Sequence, residues 1–215
     1  MSIRYKKQTK KQSEEIVKLL IKEYEGKEVG LHFNSPFELA VALILAAQCT
    51  DKRVNEVTPI LFSKYPTIES IKNADLDDIK KIVKPCGFYN NKAKNIKETA
   101  RIIIDDFNGE VPCDINKVQK LAGIGRKSAN IVMLEGFGIC EGIAVDTHVT
   151  RISRKIGLSN GKNPVEIEKD LLKLLNKKYW VDLNHVLVLH GREVCIANRP
   201  QCEKCVIKEL CNKND

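Results

Sequence analysis

Four cysteines close to the C-terminus restrict the fold of this chain more than any other feature of its sequence. Cys195, Cys202, Cys205 and Cys211 follow the spacing Cys-x6-Cys-x2-Cys-x5-Cys, whereas the other four cysteines are scattered. Four thiolates in so short a segment can wrap one compact metal centre. Structural zinc sites usually contain two Cys-x2-Cys or Cys/His pairs, and only one such pair is present here. The spacing therefore favours the four corners of a [4Fe–4S] cluster, with zinc as the alternative.

The rest of the chain has the apolar periodicity of helices. In residues 13–25, for example, Ile16, Leu19 and Leu20 lie on one helix face. Residues 39–47 are apolar on nearly all sides, which predicts a central, buried helix. Convincing alternating patterns of strands are absent, so the predicted fold class is all-α. Further helices are predicted over 51–65, 67–73, 76–83, 92–107, 115–121, 126–137, 147–156, 164–175 and 181–195.

The charge of the chain suggests a polyanionic partner without identifying one. Lysine and arginine number 36 against 28 acidic residues, a formal net charge of +8. No apolar run approaches the roughly 20 residues that a membrane-spanning helix needs. The basic N-terminus leads into polar residues rather than an apolar signal core. We therefore expect an intracellular protein of the cytoplasm or nucleoid, in which cysteines are thiols or metal ligands rather than disulfides.

A glycine-rich turn between two predicted helices indicates DNA binding. Gly123 and Gly125 flank Ile124, and Arg126 follows at the start of the second helix. Glycine permits positive φ and close backbone approach, so bare amides at this helix start can bind a backbone phosphate. The pattern is that of a helix-hairpin-helix motif, which binds duplex DNA without reading its sequence. The plainer alternative, a C-cap glycine in an ordinary turn, explains one glycine but not the whole arrangement.

Lys127 lies in the first turn of the second predicted helix, beside Arg126. A helix N-terminus and a neighbouring cation both disfavour the ammonium form, so we expect a lowered lysine pKa. A partly neutral amine is a nucleophile that can form a Schiff base. The plainer interpretation of a lysine at such a turn is a phosphate contact.

Asp146 offers a carboxylate just before another predicted helix. An N-cap role, worth about 1 kcal/mol, is sufficient reason for an aspartate at this position. The same carboxylate can also deprotonate a nucleophile or stabilise a cationic sugar in a transition state. Both roles are compatible, and the sequence does not separate them.

Several blocks, taken together, resemble the endonuclease III family across essentially the whole chain. Chance similarity is implausible because these blocks occur in the right order. They are residues 36–39, 45–51, 87–93, 108–112, the glycine-rich turn, 145–148, 189–192 and the cysteine segment.

This resemblance implies two helical lobes with a DNA-binding groove between them. A six-helix barrel lobe over 29–139 would contain the helix-hairpin-helix at about 112–133. An iron–sulfur cluster lobe would combine 1–28 with 140–215. Lys127 and Asp146 would then face each other across the groove, and a monomer is the default state.

The resemblance also implies a bifunctional DNA glycosylase and AP lyase of base-excision repair. Its substrates would be double-stranded DNA containing oxidised pyrimidines or abasic sites, with the damaged base flipped out of the stack. Lys127 would attack the sugar C1′ and form a Schiff base that permits β-elimination, while Asp146 assists. The [4Fe–4S] cluster would be structural and would hold a DNA-contacting loop.

Further DNA contacts are assigned by the same resemblance. Gln48 matches a glutamine that enters the space left by the flipped base, and Phe88 stands where a leucine wedge is frequent. Arg199 and Lys204 are the expected phosphate contacts of the cysteine segment. The chain departs from the family pattern at Ala122, which replaces a proline, and at Cys49, which replaces a small residue.

Four alternatives remain open. An oxidised-guanine glycosylase would also have the hairpin lysine and the aspartate, but it typically lacks the cysteine cluster. A mismatch-specific glycosylase of the same superfamily would share the hairpin, the aspartate and the cluster, but such enzymes generally lack a lysine at the position of Lys127. A non-catalytic helix-hairpin-helix protein would need neither Lys127 nor Asp146. A ferredoxin-like electron carrier explains the cysteines but not the hairpin or the basic charge.

Overall fold

A computed structural model of the chain describes residues 6–27 and 30–212, and every regular element in that part of the chain is helical. The predicted all-α fold is confirmed. In chain order the α-helices are α1 (Lys10–Glu23), α2 (Pro36–Ala46), α3 (Asp51–Lys64), α4 (Ile68–Asn73), α5 (Leu76–Val83), α6 (Tyr89–Asp106), α7 (Ile115–Val118), α8 (Arg126–Ile131), α9 (Thr147–Lys155), α10 (Pro164–Leu174) and α11 (Trp180–Glu193).

The chain divides into two compact units. We call Gly30–Ile139 the central unit, and Met1–Val29 together with Cys140–Asp215 the terminal unit. Each unit has its own hydrophobic core. Within residues 6–27 and 30–212, no helix has the length and apolar character needed to cross a membrane.

Helix α2 forms the middle of the central unit. Ser35 begins it, because its hydroxyl accepts a hydrogen bond from the Glu38 amide at 3.2 Å, and Pro36 supplies a φ already suited to a first turn. Every residue from 39 to 45 is buried, as the sequence predicted. A helix that is apolar all round must be covered on all sides, and α3, α6 and the turn after α8 pack against it.

Helix α6 forms the long wall of the same unit. Its buried side chains recur every three or four residues, at Ala93, Ile96, Ala100 and Ile103, so one stripe faces the core. This stripe packs against α2, α4 and α5. The opposite face carries charged residues, and α6 thereby becomes a rigid support for the loops at its N-terminal end.

The terminal unit joins both ends of the described chain. On α1, Ile16, Val17 and Leu20 are fully buried in a core shared with α9, α10 and α11. The Gln8 side chain donates to the Leu210 carbonyl at 2.7 Å and to Asn212 Oδ1 at 3.0 Å. The N-terminal helix is therefore an integral part of this unit.

Several helix boundaries differ from the sequence predictions, among them the end of α7 at Val118 rather than at residue 121. Three of the differences have a clear local reason. Helix α1 begins at Lys10 because Thr9 and Gln12 form a reciprocal capping box upstream of the first apolar residue. Helix α6 begins at Tyr89 because the Phe88 carbonyl accepts hydrogen bonds from the amides of Asn91 and Lys92. The helix predicted over 126–137 changes at Val132–Gly136 into a π-helical turn.

Candidate active site and DNA-contacting residues

The glycine-rich turn connects α7 to α8 in the central unit. Gly123 has φ +80°, a left-handed conformation that favours glycine. Ile124 is 5% exposed and closes the turn, with its amide donating to the Leu121 carbonyl at 3.1 Å. Gly125 is the extended N-cap of α8 and has no side chain to occupy the amides of the first turn. The sequence-predicted hairpin is therefore present, with its amides and exposed Arg126 at the start of α8.

Helix α6 supports this turn through two residues that the sequence analysis missed. The buried Thr99 hydroxyl donates to the Ala122 carbonyl at 3.0 Å. The Asn95 side chain lies directly against Gly123, where an added Cβ would come within 2.7 Å of Asn95 Nδ2. Ala122 leaves the turn without the rigidity of a proline, and the bond from Thr99 supplies a tertiary restraint in its place.

Lys127 is exposed and occupies the second position of α8, directly after Arg126. Its backbone belongs to the central unit, whereas Asp146 belongs to the terminal unit. The amides at the start of α8 and the helix dipole create positive potential around the lysine. This environment attracts an anionic phosphate to the same end of the helix.

Asp146 is the N-cap of α9, and its Oδ1 accepts a hydrogen bond from the Val149 amide at 2.7 Å. The residues before it are buried, with Ala144 at 7% and Val145 at 6% exposure. The Asn184 side chain on α11 donates to the Ala144 carbonyl at 2.7 Å. The half-buried carboxylate is thus held by its own helix, and the main chain that leads to it is held by Asn184, a residue that no local motif revealed. The N-cap hydrogen bond uses one of the two carboxylate oxygens of Asp146.

Gln48 and Phe88 share an unusual backbone conformation. Their φ values are 54° and 48°, and in residues 6–27 and 30–212 the only other non-glycine residue with positive φ is Asn108. Such conformations cost about 1–3 kcal/mol each and persist where surrounding structure fixes them, often at functional sites. Both side chains are exposed, Phe88 at 64%. The two residues assigned to probing DNA therefore lie on strained, outward-facing turns.

The four C-terminal cysteines line one small recess of the terminal unit, as their spacing predicted. The recess is otherwise largely apolar, and burial raises the pKa of the Cys205 thiol. In the described part of the chain, no three His, Cys, Asp or Glu side chains converge as ligands of a single metal ion would. The apolar side chains that complete the recess are Ile156, Val194, Pro200 and Ile207.

Polar groups from outside the cysteine segment contact two of these thiols. Arg151 Nη1 lies 3.8 Å from Cys195 Sγ and donates to the Cys195 carbonyl at 2.6 Å. His190 Nε2 lies 3.7 Å from Cys205 Sγ, and His190 Nδ1 lies 3.1 Å from the Tyr24 hydroxyl. Burial and the nearby Arg151 lower the pKa of His190 to about 4, so this imidazole is neutral at physiological pH.

Arg199 and Lys204 are exposed in the same segment. Arg199 lies in the loop between the first two cysteines, and Lys204 ends the 3₁₀ turn Cys202–Lys204.

Residues 41–177 match the family model of the HhH-GPD superfamily base excision DNA repair protein. This region contains the second half of the buried helix α2, the glycine-rich turn, Lys127 and Asp146. The fold and the hairpin thus define a base-excision repair protein of the helix-hairpin-helix class.

Relatives narrow this class further. The endonuclease III of Synechocystis sp. is 42% identical over 202 residues, which cover 94% of this chain and 92% of that protein. The structure of a trapped endonuclease III–DNA covalent intermediate has a TM-score of 0.90 at 38% identity and covers 96% of this chain and 98% of that chain. A thermostable thymine-DNA glycosylase has a TM-score of 0.84 at 25% identity, covering 94% and 95%. The chain belongs to the endonuclease III family.

The contact between Gly123 and Asn95 predicts how the hairpin responds to substitution. In Gly123→Ala, the left-handed φ costs about 1–2 kcal/mol of stability, and the new methyl group displaces Asn95. We expect the affinity for undamaged duplex DNA to fall by roughly tenfold, measured by fluorescence anisotropy.

Gly138→Ala is the matched control, because Gly138 has φ +70° and nothing within 4 Å of an added Cβ. It should lose similar stability and keep its DNA affinity. Equal affinity losses in both variants would refute a specific role of the turn geometry.

Proposed function

We propose that this member of a family of DNA glycosylases and AP lyases removes oxidised pyrimidines from duplex DNA and cleaves the strand through a lysine Schiff base. The observation that carries the proposal is the exposed Lys127 in the first turn of α8, two residues after Gly125 of the glycine-rich turn. A lysine at this point can reach a sugar whose flanking phosphate is bound by the hairpin amides.

In the proposed reaction, the damaged nucleotide leaves the base stack so that its C1′ becomes accessible. The neutral amine of Lys127 forms a bond to C1′ while the glycosidic bond to the base breaks. Ring opening gives a protonated imine between the lysine and the sugar. This imine acidifies the C2′ proton, and its removal expels the 3′ phosphate by β-elimination. The same lysine thereby serves both the glycosylase and the lyase steps.

Asp146 supplies a fixed negative charge in this proposal. Positive charge develops on the sugar as the base departs, and a preorganised carboxylate stabilises it. The carboxylate is also a candidate acceptor of the proton that Lys127 must lose before it attacks. The hydrogen bond from the Val149 amide supports these roles because it fixes the orientation of the carboxylate.

DNA is bound in this proposal by phosphate contacts from two places. The hairpin contributes Gly123, Ile124, Gly125 and Arg126, and the cysteine segment contributes Arg199 and Lys204. Gln48 and Phe88 enter the base stack and fill the space left by the damaged nucleotide. Backbone contacts of this kind place the protein without reading sequence, which suits an enzyme that must inspect all DNA. We further propose a monomer that acts on genomic DNA in the nucleoid.

The four cysteines fit a [4Fe–4S] cluster better than zinc. A zinc ion draws four ligands to about 2.3 Å from one point, whereas a cluster accepts thiolates at four separated corners. The uneven spacing of the four cysteines and the recess that they share support the cluster. Bound there, the cluster would cross-link the segment that carries Arg199 and Lys204.

Borohydride trapping on duplex DNA that contains thymine glycol tests the nucleophile. The wild type is expected to give a covalent complex, because the Schiff base is reduced to a stable amine, and Lys127→Ala is expected to give none.

Lys120→Ala is the control for loss of a cation, because Lys120 is also exposed and lies just before the turn. Trapping that persists in Lys127→Ala would move the nucleophile elsewhere. No trapping in the wild type despite tight DNA binding would favour a mismatch-specific glycosylase or a non-catalytic binding protein.

Two substitutions at Asp146 separate its capping role from its proposed chemical role. Asparagine is as good an N-cap as aspartate, so Asp146→Asn should keep the stability within a few tenths of a kcal/mol. Its base-excision rate should nevertheless fall by roughly 100-fold or more, because the charge is lost.

Asp146→Ala should lose the same activity and about 1 kcal/mol of stability in urea unfolding as well. If Asp146→Asn were active and Asp146→Ala inactive, the proposed chemical role would be wrong and Asp146 would act only as an N-cap.

Metal analysis of the anaerobically purified protein tests the cluster. We expect roughly four iron and four sulfide per chain, with no stoichiometric zinc. Cys205→Ala should lose the iron and sulfide, whereas Cys113→Ala, which removes an exposed thiol of the central unit, should retain both. One zinc per chain without sulfide would overturn the proposed cofactor.

A further inference from the structure

A buried lysine connects the two turns of the central unit that carry Gln48 and Phe88. Lys92 on α6 is only 4% exposed, and its Nζ donates to the Leu45 carbonyl at 2.9 Å and to the Cys86 carbonyl at 2.8 Å. Leu45 lies three residues before Gln48, and Cys86 lies two residues before Phe88. One ammonium group therefore binds the backbone that leads into both left-handed residues.

Both carbonyls lie where helices leave acceptors unsatisfied. The Leu45 carbonyl belongs to the last turn of α2, and the Cys86 carbonyl ends the 3₁₀ turn Lys84–Cys86. A cation at the end of a helix also interacts favourably with the helix dipole. The Lys92 amide donates to the Phe88 carbonyl at 3.1 Å, so the main chain and the side chain of one residue act on the same turn.

The lysine has a structural role as well as a positional one. Burial of an ammonium group is costly, and the two carbonyl hydrogen bonds offset this cost while they satisfy acceptors at two helix ends. The neighbouring thiol does not act as a counter-ion, because burial and Cys49 raise the pKa of Cys86 to about 11. The ammonium is instead matched to two carbonyl dipoles whose positions it fixes.

We propose that Lys92 is a positioning residue that fixes the turns of Gln48 and Phe88 relative to each other, so that both side chains enter the base stack together. The inference rests on the DNA-probing roles proposed for those two residues. Without the clamp, each turn relaxes toward ordinary backbone conformations, and the two side chains no longer act as one unit. The damaged nucleotide is then extruded less efficiently.

Lys97 provides a matched control on the same helix. Its Nζ also donates to two backbone carbonyls, those of Lys72 and Ala74 at the end of α4. This clamp has the same chemistry, but it holds neither Gln48 nor Phe88. Loss of a lysine–carbonyl clamp can therefore be compared at two places in one unit.

The experiment compares Lys92→Met with Lys97→Met in two single-turnover reactions at saturating enzyme: excision of thymine glycol and cleavage of a preformed abasic site. An abasic site has no base to unstack, so it should need the probing residues less. We expect Lys92→Met to slow excision at least about tenfold and abasic-site cleavage less than about threefold. Lys97→Met should change the ratio of the two rates less than about twofold.

Two further measurements keep the inference testable if Lys92→Met folds poorly or thymine glycol proves a poor substrate. Lys92→Arg keeps a buried cation, so its unfolding temperature should equal that of the wild type. It should also restore part of the excision rate that Lys92→Met loses. On DNA with 2-aminopurine opposite a tetrahydrofuran abasic analogue, the wild type should raise the fluorescence as it disturbs the stack. Both Lys92 variants should raise it less at equal DNA occupancy, without any need for catalysis.

The mechanism also predicts non-additivity with Phe88. If Lys92 acts through the probing residues, Phe88→Ala should cost the Lys92→Met protein less than about twofold in excision, but cost the wild type much more. Fully additive losses would overturn the inference. It would also be overturned by equal slowing of both reactions, or by a Lys97→Met protein with the same selective defect.

Discussion

Helix α2 has no polar face, and this constraint organises the central unit. Its residues 39–45 are all buried, so neighbouring helices must cover it from every side. Burial of each large apolar side chain contributes about 1.5–3 kcal/mol, so the covering of α2 contributes substantially to the stability of the unit. The chain must then leave the core abruptly after Ala46, and Gln48 adopts a left-handed conformation at that exit. The position of Gln48, which we propose to probe DNA, thus follows from the way in which a buried helix ends.

The proposed functional residues lie at helix ends throughout the molecule. Gln48 follows α2, Phe88 precedes α6, Lys127 lies in the first turn of α8, and Asp146 caps α9. Helix ends have backbone amides and carbonyls without partners in the helix, so phosphates, carboxylates and ammonium groups bind there with little rearrangement. The helices behind these ends hold the functional side chains in place, which a flexible loop would not do. The middle of each helix therefore packs in the core, while its end carries the side chain proposed to act on DNA.

The functional motifs that were predictable from sequence are those whose chemistry is local. The hairpin needs glycines two residues apart, the cysteines need a short segment, and the cap at Asp146 needs only the helix that follows it. The supporting residues were not predictable because their partners are distant in sequence. Lys92 reads as an ordinary polar position of α6 until its contact with Leu45, 47 residues away, is known. The left-handed φ of Phe88 was equally hidden, since bulky residues seldom adopt it.

The cysteine segment contains little regular structure and few buried side chains of its own. Its regular elements are two 3₁₀ turns, Cys202–Lys204 and Lys208–Leu210, and Ile207 is its main apolar anchor at 1% exposure. The Gln8 side chain donates hydrogen bonds to Leu210 and Asn212, so a residue near the N-terminus holds the end of the cysteine segment. A segment with so small a core gains most from a cross-link that joins its turns, because the cross-link removes conformations available to the unfolded loop. Ligation by four cysteines would supply such a cross-link while leaving exposed side chains between the ligands available to contact phosphates.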